Sequence, residues 1–192
     1  LVAPDRLRVG IVKDVIALAK REHRPKPVGD PRLDAAMNDL AHNLRGDDLP
    51  SLEVIDFLLT HYGIAEPSPH LLLSRATAGA DREIRAQVLK QVEAVYKQSP
   101  VARIGVGVDR TGVLTYAVVA LQETHVALER VPPRLEAGAS TAVEGKLTGR
   151  YRDSRVVVTT PDGKVAEQEP SARKGWGRGK IACATSGKYL VE

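Results

Sequence analysis

The N-terminal half of the chain carries apolar residues at a spacing of three and four, which is the spacing of one face of an α-helix. This pattern predicts four amphipathic helices, over residues 5–22, 30–44, 52–62 and 81–97. The second helix has the clearest start, because Asp30 suits an N-cap position. Its apolar stripe is rich in alanine, so we expect another element to approach it closely.

Beyond the fourth predicted helix the apolar period changes from 3.6 to 2, which predicts strands. Residues 103–108 and 113–121 form a predicted hairpin, and residues 70–74 form a shorter strand upstream. Glycines occupy alternate positions of the first hairpin strand, at Gly105 and Gly107, so one of its faces lacks side chains. We therefore expect a helix or another backbone to lie close against that face.

No helical spacing follows residue 131, and short strand patterns take its place. These patterns lie over residues 141–147, 155–160, 164–167, 179–184 and 188–192. The chain is therefore predicted to be α+β and to contain two domains. We expect an α-β-α sandwich over residues 1–131 and a small all-β sandwich-like domain of Ig type over residues 132–192.

The second predicted domain is short, because about 60 residues compare with roughly 100 in an Ig sandwich. The chain begins at Leu1 and not at methionine, and it ends in the strand-like run 189–192. We therefore expect it to be a piece of a longer protein, with the second domain incomplete at its C-terminal end. No signal peptide and no membrane-spanning run is visible in the sequence.

Composition adds constraints on the core and on the partners. Aromatic residues make up 4% of the 192 residues and hydrophobic residues 43%, so the core must consist mainly of Val, Leu, Ile and Ala. The formal net charge is +4, from 28 Lys and Arg against 24 Asp and Glu, which favours anionic partners only weakly. The single cysteine, Cys183, excludes an internal disulfide, and its apolar neighbours indicate a core position.

A glycine-rich segment over residues 173–180 is the most distinctive candidate surface, and we expect it to be a loop. It combines the only tryptophan with four cations and no acid, namely Arg173, Lys174, Trp176, Arg178 and Lys180. Indole rings stack on sugars and cations, and flanking Arg or Lys side chains hold carboxylates and phosphates. The segment therefore suggests a glycan or another anionic polymer as ligand. The alternative is a hairpin whose tryptophan folds back on the sandwich.

Two further patterns carry a resemblance to a known family. The first joins an arginine-bearing helix end, a Gly/Pro loop and an Asp-x-x-Leu-x-x-Ala helix, with matches at Arg24, Pro27, Asp30, Leu33, Ala36 and Ala41. The second is Tyr96-Lys97-Gln98-Ser99-Pro100 followed by Ile104-Gly105-Val106-Gly107-Val108 and by the strand 116–119. In this order they resemble the CAP superfamily in its bacterial SCP-like form, over about residues 5–125. The resemblance implies an α-β-α sandwich in an exported bacterial protein, either periplasmic or secreted to the cell surface.

Members of this family that have a metal-binding cleft carry two histidines and two acidic residues, and the resemblance transfers none of them. The segments at the two histidine positions, 49–51 and 101–103, contain no histidine, and the acidic motif would fall near residues 69–71. We therefore expect no cofactor and no catalysis. The alternative is a CAP-like metal-dependent hydrolase with a non-standard metal cluster. That cluster would consist of His42, His61 and His70 together with Glu66.

These patterns predict a non-catalytic binding or structural module of an exported bacterial cell-envelope protein, with an envelope glycan or protein as its partner. Nucleic acid is a third interpretation, which predicts steeply salt-dependent binding. However, one segment with four charges falls short of a nucleic-acid groove, and no known nucleic-acid motif accompanies it. The sequence does not set an oligomeric state.

Overall fold

The computed structural model describes residues 5–44, 46, 48–64, 68–129, 131–132, 134–147, 154–169, 171–173 and 175–192. The chain divides into two compact units, Leu1–Thr124 and His125–Glu192. This division comes before the predicted boundary at residues 131 and 132. The reason is that residues 126–128 form a strand that pairs with residues 145–147 of the second unit.

The first unit contains the helices α1 (Arg6–Arg21), α2 (Pro31–Asn43), α3 (Leu52–His61) and α4 (Asp81–Gln98). Its strands are β1 (Val28–Gly29), β2 (His70–Thr77), β3 (Arg103–Thr111) and β4 (Leu114–Gln122). The helices begin and end close to their predicted ranges. The sequence analysis missed β1, because two residues leave no periodicity to recognise. Among the described helices there is no candidate for a membrane-spanning segment.

The strands of the first unit form one sheet in the order β1-β3-β4-β2, with β1 parallel to β3 and the other pairs antiparallel. Helices α1 and α4 pack on one face, against a core that includes Val106 and Val119. Helices α2 and α3 pack on the other face, against a core that includes Val118 and Ala120. The unit therefore has three layers, and the predicted α+β class is confirmed.

Helix α2 lies directly against the glycine face of β3. A Cβ atom added to Gly105 would lie 2.4 Å from Cβ of Leu33, and one added to Gly107 would lie 2.0 Å from the carbonyl oxygen of Met37. Real side chains do not approach this closely, so only glycine permits the observed spacing. The predicted close approach of a helix to this strand is confirmed.

Side chains of α2 also close the edge of β3. The short strand β1 supplies the first bonds, since Val28 N–H donates to the carbonyl oxygen of Ala102, just before β3. Further along the same edge, Val106 N–H donates to Oδ1 of Asp34 at 2.8 Å, and Val108 N–H donates to Oδ1 of Asn38 at 3.3 Å. Beyond the end of β1, side chains of α2 therefore accept the hydrogen bonds of backbone amides of β3 that would otherwise lack an acceptor.

The second unit is all-β in the part of the chain that the structure describes. Its strands are β5 (Val126–Leu128), β6 (Ser140–Leu147), β7 (Val156–Thr159), β8 (Val165–Gln168), β9 (Ser171–Arg173), β10 (Trp176–Ala182) and β11 (Leu190–Val191). One sheet has the order β5-β6-β10-β9 and the other has the order β11-β7-β8. Both sheets contribute to one small core, which buries Val143, Val156, Val158 and Ile181.

The described residues of the segment 173–180 belong mainly to two paired strands, which corrects the prediction of a loop. Arg173 ends β9 and Trp176 begins β10, and these two residues pair with each other across the reversal. Gly175 has a φ of 80°, a left-handed conformation that glycine adopts without strain, so the chain can turn tightly there. Gly179 faces the core, where a Cβ atom would lie 2.9 Å from Val156. Close packing inside the sandwich therefore explains Gly179, which the strand pattern over residues 179–184 already included.

Candidate functional site

The outward face of β10 carries predicted ligand-binding residues. Successive side chains alternate along a strand, so Trp176, Arg178 and Lys180 point to one face while Gly179 and Ile181 point to the other. The first three residues are exposed, and the other two are buried. The structure therefore places three of the five predicted residues on one solvent-facing strand surface.

The neighbouring strand β6 adds charged residues to this surface. In the antiparallel register Trp176 lies opposite Lys146, and Arg178 lies opposite Glu144. Directly opposed residues share a face of the sheet, and Lys146 is exposed. Local spacing in the sequence does not reveal which strands pair, so the sequence analysis missed Lys146. We call the set Lys146, Trp176, Arg178 and Lys180 the cationic strand face.

One cation of this face is paired with an acid. Nε of Arg178 lies 2.9 Å from Oε1 of Glu144, and the two side chains are 68% and 40% exposed. Exposed ion pairs contribute little free energy because water and salt screen them. A polyanion can therefore compete with Glu144 for Arg178, and Lys146 and Lys180 keep the face positive.

The indole of Trp176 is accessible from solvent. It is 41% exposed, and it lies on the side of β10 opposite to the core-facing residues. In β9, Arg173 is its directly opposed partner, whereas Lys174 lies outside the described residues. A large ring beside several cations offers both a stacking surface and charge to a ligand.

The candidate metal ligands at the end of α2 and at the start of β2 have separate neighbours. Nδ1 of His42 lies 3.1 Å from Oδ1 of Asp109, near the end of β3. Nε2 of His70 lies 3.2 Å from Oγ of Ser99, just after α4. Each of these imidazoles is therefore engaged by a different polar group, which is an ordinary structural role for histidine.

The third candidate, His61, ends α3 and stacks on Phe57 with 6.4 Å between the ring centroids. Among the described residues, no group of three or more His, Cys, Asp or Glu side chains is placed to hold a metal ion. The fourth member of the hypothetical cluster, Glu66, lies outside these residues. The structure thus gives the three histidines different surroundings and does not assemble them into a metal site.

The residues that carry the family-like pattern on α2 belong to the scaffold. Leu33 and Ala36 are fully buried. Asp30 caps the helix, because its Oδ1 accepts the N–H of Arg32 at 2.9 Å. Its Oδ2 lies 2.9 Å from the guanidinium of Arg32 and 3.3 Å from that of Arg103. The side chain of Asp30 therefore ties the start of α2 to the start of β3.

These contacts lower the pKa of Asp30. Partial burial by itself raises this pKa, but the hydrogen bonds from Arg32 and the charges of Arg32 and Arg103 outweigh the effect of burial. The pKa in the folded state is thus below the pKa in the unfolded state. Ionised Asp30 consequently stabilises the fold above about pH 4, and this stabilisation is lost as the pH falls through the folded-state pKa.

Asp30→Asn is expected to lower the free energy of unfolding by about 1–2 kcal/mol at pH 7 and by less at pH 2. Asparagine keeps a capping oxygen, so the difference reports the lost charge. Urea unfolding followed by far-UV circular dichroism measures it, since the described helices all lie in the first unit. The exposed Glu53→Gln serves as control. An equal loss at both pH values would contradict the role of the charge.

Comparison with known proteins gives little similarity. No protein-family model matches the chain, and no curated protein matches it significantly. Among solved structures, the chain is similar to an extracellular protein containing an SCP domain from Bacillus anthracis str. Ames, with 14% sequence identity and a TM-score of 0.43. The match covers 64% of this chain and 45% of that chain. The matched part therefore spans less than half the length of that chain, and a likeness of this degree assigns no family.

Proposed function

We propose that this chain is a non-catalytic binding module of an exported bacterial cell-envelope protein, and that its cationic strand face contacts an acidic glycan or another anionic polymer. The observation that carries the proposal is the register of β6 and β10, which sets Lys146 opposite the exposed Trp176. The envelope setting is what the resemblance to the CAP superfamily implies. The three-layer packing of the first unit is consistent with that resemblance.

The cationic strand face suits an extended polymer. Alternate residues lie about 6.6 Å apart along a strand, and opposed residues lie about 5 Å apart across it. A polymer that follows β10 thus meets the indole, the guanidinium of Arg178 and the ammonium of Lys180 in succession. Sugar rings stack on the indole, and carboxylate or phosphate groups bind the cations.

The strand order of the second unit supports an Ig-like sandwich. The order β5-β6-β10-β9 corresponds to the A-B-E-D sheet of that fold, and the order β11-β7-β8 corresponds to strands F, C and C′ of the other sheet. In this correspondence the cationic strand face is the outer surface of the A-B-E-D sheet. A ligand can therefore bind there without disturbing the core.

Intrinsic fluorescence tests the proposal, because Trp176 is the only tryptophan in the chain. Polygalacturonate, an acidic polysaccharide, is expected to change the emission, whereas the neutral polysaccharide dextran is expected to leave it unchanged. Added salt should weaken the binding. Lys146→Gln and Lys180→Gln should each weaken it about two- to fivefold. Lys188→Gln changes an exposed lysine just before β11 and is the matched control.

Three results would contradict the proposal. Unchanged affinity of both Lys146→Gln and Lys180→Gln would show that the polymer binds elsewhere. Tighter, steeply salt-dependent binding of duplex DNA would favour a nucleic-acid partner. A stoichiometric transition metal in the purified protein, lost when His42 and His70 are replaced, would favour the metal-dependent hydrolase.

A further inference from the structure

Helices α2 and α3 leave a groove between them in the first unit. The groove encloses a cavity of about 440 Å³, which is within the size range of ligand pockets. Its walls are mainly apolar and include Leu40, Leu44, Pro50, Val54, Phe57 and Leu58. We call it the α2–α3 groove. It shares no residue with the cationic strand face, so an inference about it is independent of the proposed polymer contact.

Apolar side chains of α3 that line this groove or lie beside it are exposed to solvent. Leu52 is 74% exposed, Phe57 is 73% exposed and Val54 is 51% exposed. The inner side of the same helix buries Ile55 and Leu59 in the core. A helix that is apolar on both its inner and its outer side is typical of an element that a second body covers.

Acidic residues border the apolar surface. Asp39 and Asp48 line the α2–α3 groove, and Glu53 and Asp56 occupy exposed positions of α3. The hydroxyl of Tyr62 donates a hydrogen bond to the carboxylate of Asp39, which fixes that side chain at the rim. No lysine or arginine lines the groove among the residues that the structure describes. The surface therefore combines an apolar floor with a negative rim.

We propose that the α2–α3 groove docks a basic amphipathic helix of a partner protein. Apolar side chains of that helix enter the cavity, and its Lys and Arg side chains face the acidic rim. A helix fits better than a small ligand because exposed apolar side chains of α3 run from Leu52, which lies outside the cavity, to Phe57, over about 7.5 Å of helix. Recognition of this kind places anchors at positions i, i+3 or i+4 and i+7 in an apolar groove.

The test uses a fluorescein-labelled peptide built only of Leu and Lys in amphipathic helical order, with an uncharged Leu and Gln counterpart as control. Fluorescence anisotropy should show binding of the first peptide at low salt and no binding of the second. Phe57→Ser removes an aromatic anchor and should weaken binding about tenfold or more. Asp48→Asn and Glu53→Gln should each weaken it about two- to fivefold.

The matched control is Val113→Ser at the β3–β4 turn. Val113 is 75% exposed, close to the 73% of Phe57, so both substitutions remove an exposed apolar side chain. Circular dichroism should show that both variants remain folded. Binding of the Leu and Lys peptide should be unchanged in Val113→Ser, and an equal loss in the two variants would overturn the proposal.

Other outcomes would also overturn it. One is failure of the Leu and Lys peptide to bind at low salt, and another is equal binding of the two peptides. Binding to phosphatidylcholine vesicles that Phe57→Ser abolishes, without peptide binding, would assign the groove to lipid. Self-association in sedimentation velocity that the same variant abolishes, again without peptide binding, would assign it to a second copy of the chain.

Discussion

Gly107→Ala is expected to unfold the first unit. A Cβ atom at this position would lie 2.0 Å from the carbonyl oxygen of Met37 and 2.4 Å from the backbone nitrogen of Asn38. Both atoms belong to the backbone of α2, so no side-chain rotation can relieve the clash. The helix would have to move away from β3. The expected loss is about 3 kcal/mol or more, which is a large part of the stability of a small domain.

Two spectroscopic signals separate the effects of this substitution on the two units. Far-UV circular dichroism reports the described helices, all of which lie in the first unit, whereas the fluorescence of Trp176 reports the second. Gly107→Ala should abolish or strongly destabilise the helical signal. The emission of Trp176 should remain that of the folded state, because the core of the second unit is built from its own residues.

Gly29→Ala is the matched control for Gly107→Ala. Gly29 lies in β1 of the same sheet, but a Cβ atom there would meet no atom within 4 Å. The substitution removes the same backbone freedom without creating a clash, so its effect should stay within about 1 kcal/mol. An unfolding transition of Gly107→Ala that equals that of Gly29→Ala would contradict the packing of α2 on β3.

The close packing of α2 on β3 could be predicted in part from the sequence, because each of the two elements carries small residues on the face that makes the contact. Gly105 and Gly107 leave one face of the strand without side chains, and the helix brings the small residue Ala36 to its apolar stripe. The sequence also predicted the N-cap of that helix at Asp30, and the structure confirms it. Local patterns of this kind depend only on neighbours along the chain, which is why the helix positions and the close approach expected at each surface were predicted. That α2 is the element packed on β3 is a long-range contact, which the structure supplies.

The cationic strand face could be predicted only in part. Trp176 and its neighbouring cations stood out in the sequence, but the glycines between them suggested a loop, because glycine is common in turns. The strand begins at Trp176, before the predicted start at residue 179, and Gly179 is an inward-facing residue that makes room for Val156. Lys146 joins the face only through the register of β6 with β10, a long-range pairing that side-chain periodicity does not encode.

The α2–α3 groove shows a different limit of sequence reasoning. The apolar residues of α3 were visible, and they predicted an amphipathic helix with an inner face. The spacing alone did not show that Leu52 and Phe57 stay exposed while Ile55 and Leu59 are buried. Which apolar residues remain uncovered depends on how closely α2 and α3 pack, and that is decided by tertiary structure.

Asp34→Ala is expected to lower the free energy of unfolding of the first unit by about 3 kcal/mol. Oδ1 of Asp34 accepts the N–H of Val106 at 2.8 Å, and its other oxygen pairs with the guanidinium of Arg8 on α1. Val106 is fully buried, so loss of the acceptor leaves a buried amide without its partner. Urea unfolding followed by circular dichroism measures the loss.

Two further variants separate the contributions of Asp34. Asp34→Asn keeps an oxygen for Val106 but removes the charge that faces Arg8, so we expect a loss of about 1 kcal/mol. A double-mutant cycle with Arg8→Met isolates the pair interaction. Asn38→Ala is the control at the next position of the edge, where the bond to Val108 is longer, at 3.3 Å, and we expect about 1 kcal/mol there.

The same variants test whether α2 protects the edge of β3. In Asp34→Ala the amide of Val106 has no acceptor from α2, so it should exchange its hydrogen faster than in Asp34→Asn. An edge strand whose amides lack hydrogen-bond acceptors is also a template for pairing with another chain, so Asp34→Ala should aggregate more readily on warming, as measured by light scattering.

If Asp34→Ala and Asp34→Asn show the same hydrogen exchange and the same aggregation, the ion pair with Arg8 is the main role of Asp34. A difference between them assigns that role to closure of the sheet edge, because the two variants lack the same charge and differ in the acceptor that they offer to Val106.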